Sequence, residues 1–105
     1  MKIYDKVSWH YPEGKNCPSI EAAKKHFIKI MDWLSTNNLL SDDGKEVLEI
    51  GIDSDFSLTS SMLTDQGNEI IKKSYSEWLK TIGYNTEIST KYLDSFLNSK
   101  YSANP

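Results

Sequence analysis

The chain has 105 residues, a net charge of −3 and 38% apolar residues, enough for one domain with one core and too apolar for a disordered chain. No apolar run approaches the roughly 20 residues of a membrane span. The charged opening Met1-Lys2-Ile3-Tyr4-Asp5-Lys6 has no signal-peptide core, so the cytoplasm is the expected compartment. All twelve cations are lysine. An acidic chain without arginine lacks both the positive field and the bidentate reader that nucleic-acid recognition uses.

Residues 1 to 18 read as an irregular aromatic segment, because Pro12 and Pro18 oppose a helix. Tyr4, Trp9 and Tyr11 are expected to staple it onto the core. His10 is expected to anchor the same segment. Cys17 is the single cysteine, so no disulfide or cysteine-based metal site can form within one chain. Nothing in Lys15-Asn16-Cys17-Pro18 activates its thiol.

The clearest helix follows. Ser19 is its N-cap and Glu21 lies in the first turn, where the helix dipole favours acid. Ile20, Ala23, Phe27, Ile30, Met31 and Leu34 recur at helical spacing as one apolar stripe. Lys24, Lys25, Lys29 and Asp32 fall on or near the other face, and His26 reads as a boundary residue. Asn37-Asn38 marks the stop.

Residues 39 to 63 fit two patterns equally. Ser41 can cap a short helix through Asp42-Asp43-Gly44-Lys45-Glu46. Leu48, Ile50 and Ile52 alternate with Glu49, Gly51 and Asp53, which is the period of a strand. Such a strand would turn at Asp53-Ser54-Asp55 and pair back through Phe56 and Leu58. The other pattern is a helix followed by an irregular loop.

Thr64 caps a long helix with Asp65 in its first turn. Ile71, Tyr75, Trp78, Leu79 and Ile82 form its stripe, and Gly83 is placed to end it. A last helix runs from about Ser89 to Lys100, buried through Ile88, Tyr92, Leu93, Phe96 and Leu97. Isolated helices of these lengths are marginal in water, so the stripes must pack together. The fold class is mainly α: a single domain over 1–105, a compact helical bundle of three to five helices, with room for one small β-hairpin.

Catalytic motifs are missing. No nucleophile elbow or phosphate loop is present. His10 and His26 have no zinc-ligand spacing. A calcium loop started at Asp53 would need glycine at its sixth position and glutamate at its twelfth, where Leu58 and Thr64 stand. The reading is therefore of a non-enzyme without metal or cofactor.

One feature stands out. Asp42, Asp43, Glu46, Glu49, Asp53, Asp55, Asp65 and Glu69 are eight of the fifteen acids. Lys45 is the only cation among residues 42 to 69, so that segment carries −7 and the remainder +4. Complementary potentials raise association rates and select partners. These eight residues are the candidate partner-binding set, and a basic protein domain is the expected partner.

A second function class competes. The phrase Leu58-Thr59-Ser60-Ser61-Met62-Leu63-Thr64-Asp65-Gln66-Gly67 is similar to the segment after the wing in some winged-helix nucleic-acid-binding regulators. The candidate wing is acidic, and no basic recognition helix accompanies it.

The opening Tyr4-Asp5-Lys6-Val7-Ser8-Trp9-His10-Tyr11 resembles an uncharacterised family of small bacterial proteins that begin Tyr-Asp-x-x-Ser-Trp-His-Tyr before an amphipathic helix. Leu63-Thr64-Asp65-Gln66-Gly67-Asn68-Glu69 is similar to that family's second block, a Glu-Gly-Asn run opening a helix. Pro12-Glu13-Gly14 replaces the Gly-Gly that many members carry after the tyrosine. Small proteins of this kind look like the immunity proteins of contact-dependent growth inhibition and polymorphic toxin systems. The resemblance implies tight binding to a cognate toxin domain, often a nuclease. It carries over no binding residues.

Overall fold

In the computed structural model, which describes residues 1–14, 17–81 and 90–95, the element order is strand β1 (Ile3–Lys6), helix α1 (Val7–His10), helix α2 (Ile20–Thr36), helix α3 (Asp42–Ile50), strand β2 (Ser57–Thr59), a 3₁₀ turn (Ser60–Met62) and helix α4 (Asp65–Leu79). Residues 91–95 are also helical. The fold is mainly α with a small antiparallel two-stranded sheet.

Each expected N-cap forms. The hydroxyls of Ser19, Ser41 and Thr64 accept from the backbone N–H of Ala22, Gly44 and Gly67, each three residues on. That satisfies one orphan donor per helix. The α2 stripe is the centre of the core: Ala23, Phe27, Ile30, Met31 and Leu34 are fully buried. Ile70, Ile71, Tyr75 and Trp78 of α4 and Leu93 are buried in the same core. Trp33 is also buried, and its indole N–H donates to Asp94 Oδ1 at 2.6 Å.

Some expectations need correction, and the choice left open for residues 39 to 63 is decided. Residues 3 to 10 are not irregular, since β1 and α1 form ahead of Pro12. Residues 42–50 are helix, and the alternation of Leu48, Ile50 and Ile52 does not make a strand. Gly44 explains why: a Cβ there would run into the Met62 carbonyl, so only glycine lets α3 lie against the 3₁₀ turn. Phe56 and Leu58 do not pair back on 48–52. β2 pairs instead with β1, in the register Asp5 to Leu58 and Lys6 to Ser57. Strand β2 therefore finds its partner more than fifty residues away, and an irregularity between Ile3 and Asp5 bends the ladder.

Helix α4 stops at Leu79, short of Gly83. Thr81 causes this locally, its hydroxyl and amide both donating to the Trp78 carbonyl at 2.7 and 2.9 Å. Finally, Tyr92 is 40% exposed and not part of the buried face. Ile82, Gly83, Ile88, Phe96 and Leu97 lie outside the described residues.

Candidate functional sites

Two places gather polar chemistry. The first is inside. Strand β1 turns Asp5 inward, and the short helix α1 swings His10 back over it. The carboxylate is 4% exposed and His10 8%. His10 Nε2–H donates to Asp5 Oδ2 at 2.6 Å, and the Tyr75 hydroxyl, from α4, donates to the same oxygen at 2.6 Å. The Lys6 backbone N–H donates to Oδ1 at 2.8 Å. A buried anion is tolerable only when donors surround it in this way.

His26 of α2 completes the group. Its Nε2 is 2.8 Å from the Tyr75 oxygen and 3.8 Å from Asp5 Oδ2. Tyr75 has one proton and gives it to Asp5, so His26 carries its proton on Nε2 and donates it to the tyrosine oxygen. Nδ1 is then a bare lone pair, and among the described residues it has no hydrogen-bond partner. The ring is wholly buried and stacks on Trp78 at 5.0 Å between centroids. Burial first, and then the neighbouring His10, push the His26 pKa down to about 3, against the pull of Asp5. At neutral pH the ring is uncharged. His26 is thus an interior residue, which corrects its placement at a boundary.

Asp5, His10 and His26 form the one group among the described residues with three metal-ligand side chains together, their donor atoms all within 4.8 Å. The geometry is that of hydrogen bonds. Two ligands on one tetrahedral zinc stand about 3.4 Å apart, whereas His10 Nε2 and Asp5 Oδ2 stand at 2.6 Å. A ligating histidine also donates its other N–H to an acceptor, and His26 Nδ1 has none. The cluster suits holding β1, α1, α2 and α4 together better than holding an ion.

No sequence signal pointed to this cluster as a unit. Asp5 and His10 are five residues apart, but His26 and Tyr75 reach them only through the tertiary fold. His10 does anchor the N-terminal segment. The stapling role expected of the aromatics is only partly met. Tyr4 is half-buried and its hydroxyl donates to Asn68 Oδ1 at 2.6 Å, but Trp9 and Tyr11 are 47% and 37% exposed. Lys6 Nζ lies over the Trp9 ring at 5.8 Å.

The second place is the acidic surface. Asp42, Asp43, Glu46 and Glu49 are all exposed on α3, and Asp53 and Asp55 are exposed in the loop that follows. Asp53 Oδ1 accepts from the Asp55 backbone N–H at 2.9 Å, which folds that loop on itself. Asp53 and Asp55 line a concavity of about 440 Å³ whose other walls include Val47, Ile50, Phe56 and Met62. No lysine lines it.

Asp65 and Glu69 sit elsewhere. They open on a different concavity, of about 480 Å³, together with Lys2, Lys72 and Lys73. Glu69 makes an i,i+4 ion pair with Lys73 at 3.3 Å. The acidic segment of the sequence therefore divides in space. Six carboxylates stand exposed on α3 and the loop after it, with Lys45 among them, and two lie among cations. Among the described residues, no helix is long and apolar enough to cross a membrane. Set against known protein families, curated proteins and solved structures, the chain matches none.

Proposed function

We propose that this protein is an immunity-type binder that captures a basic toxin domain, a nuclease by class, and blocks its active site or its approach to substrate. The observation that carries the reading is the exposed face of Asp42, Asp43, Glu46, Glu49, Asp53 and Asp55, which Lys45 alone interrupts along the chain. Asp65 and Glu69 contribute less, because lysines surround them. Carboxylates left in water keep their field available to steer a cationic partner.

Such a role needs no metal, cofactor or catalytic group. It acts where the toxin would act on the producing cell, in the cytoplasm. The resemblance of the Tyr4–Tyr11 block to small bacterial proteins of the immunity type supports the same reading.

The direct test is co-expression with the toxin encoded beside this gene. Rescue of growth and co-purification of a complex are expected. Failure of both rejects the reading. Replacing Asp42, Asp43, Asp53 and Asp55 by lysine is expected to slow association by roughly tenfold or more and to abolish its salt dependence. An unchanged rate would remove the acidic face from the interface.

A further inference from the structure

We propose that the concavity between the C-terminal end of α3 and β2 is a socket for one large apolar side chain, carried on a partner segment flanked by lysine or arginine. The proposal rests on the reading that the acidic face docks a basic protein, and it names what that protein must present.

Ile50 is the starting point. It is the last residue of α3 and 77% exposed. Leaving such a side chain in water forgoes the favourable transfer that burial would give. Beside it, Val47 and Met62 are half-buried and Phe56 is 6% exposed, so the apolar surface runs from the lip to the floor. Gly51 ends the helix at φ +113°, and nothing lies within 4 Å of where its Cβ would be. The helix therefore stops without a side chain to cover Ile50.

The rim decides the occupant. Asp53 and Asp55 stand on it, and no lysine lines it. A wholly apolar partner would strip water from two carboxylates without replacing it. A wholly polar one would leave Ile50 uncovered. A second copy of this chain docked by the same face would bring acid against acid. An apolar anchor between cationic residues satisfies both requirements, and it matches the buried-anchor, charged-rim layout of protein interfaces. The other concavity lacks this pairing, because Lys2, Lys72 and Lys73 line it.

The test uses the full chain labelled with ¹⁵N and three synthetic pentapeptides: Lys-Lys-Leu-Lys-Lys, Lys-Lys-Ser-Lys-Lys and Glu-Glu-Leu-Glu-Glu. The leucine–lysine peptide is expected to shift the amides of Gly51, Asp53 and Asp55 and to bind roughly tenfold tighter than the serine peptide, the ratio one buried apolar side chain supplies. The glutamate peptide should leave those amides unmoved. Ile50→Glu should erase the leucine preference. Asp53→Asn with Asp55→Asn should weaken both lysine peptides alike. Equal affinity for leucine and serine, or shifts centred outside this socket, overturns the proposal. The two readings fail separately. A toxin complex indifferent to Ile50→Glu removes the socket and keeps the immunity role. Peptide selectivity without any toxin complex does the reverse.

Discussion

The buried cluster around Asp5 and the acidic face around α3 use the same side-chain chemistry to opposite ends. Inside, one carboxylate collects donors from His10, Tyr75 and the Lys6 backbone, which ties β1, α1 and α4, and His26 of α2 joins through Tyr75. Outside, six carboxylates stand in water on one helix and one loop. The interior anion is nonlocal and fully used within the fold. The surface anions are local, and their charge remains free to act on something else. The contrast separates residues that hold the protein together from residues that can recognise a partner.

The contrast breaks most visibly at Asp5. Asp5→Ala removes the common acceptor of the cluster, and a loss of about 3–5 kcal/mol is expected from urea unfolding, as for other broken buried pairs. Tyr75→Phe is the milder companion. It leaves His26 Nε2–H without an acceptor, at about 1–3 kcal/mol.

Acid is the next lever. The His26 pKa is about 3 in the folded protein against about 6.5 unfolded. The unfolded chain therefore binds the extra proton first as pH falls. Stability from this group is complete above about pH 6.5 and is lost on acidification through the window down to pH 3, at about 1.4 kcal/mol per unit. Urea unfolding followed from pH 7 to pH 4.5 should show a drop of roughly 2–3 kcal/mol from this residue. His26→Gln should flatten that part of the profile, and an unchanged slope would show that the ring is not held neutral. The titratable groups facing it from β1, α1 and α4 are Asp5, His10 and Tyr75, so Asp5→Asn should alter the same window.

Gly44→Ala comes third. The added methyl meets the Met62 carbonyl, and a cost of about 1–3 kcal/mol follows from overpacking. The smallest effect is expected on the surface. Asp53→Lys with Asp55→Lys should move stability by no more than about 0.5 kcal/mol while altering partner binding. If that pair cost as much as Tyr75→Phe, the division between holding and recognising residues would not stand.

How much of this was legible in the sequence follows from distance along the chain. The three helix caps, the α2 stripe and the stripe of Ile71, Tyr75 and Trp78 are local signals, written within one or two turns, and they read correctly. The acidic segment was visible because charge is a property of residues. Its division into six and two was not, since that depends on Lys2, Lys72 and Lys73 arriving from outside the segment. The α3 assignment stayed open because alternation and helical capping overlap in nine residues, and the contact that settles it, Gly44 against Met62, is tertiary. His26 was misplaced for the same reason. On α2 it sits beside Lys24 and Lys25, and only Tyr75 and Asp5 make its burial acceptable.

The pairing of β1 with β2 also sets an order of events during synthesis. Lys6 meets Ser57, and Asp5 waits for Tyr75, which lies 70 residues further on. At ribosomal speeds of about 5–20 residues per second, the first strand emerges several seconds before the tyrosine that completes its anchoring has been made. Until residues 57–59 follow, β1 has no ladder partner, and until Tyr75 follows, the Asp5 carboxylate has only the donors of its own segment. Strand β1 is thus made well before the residues that complete its packing.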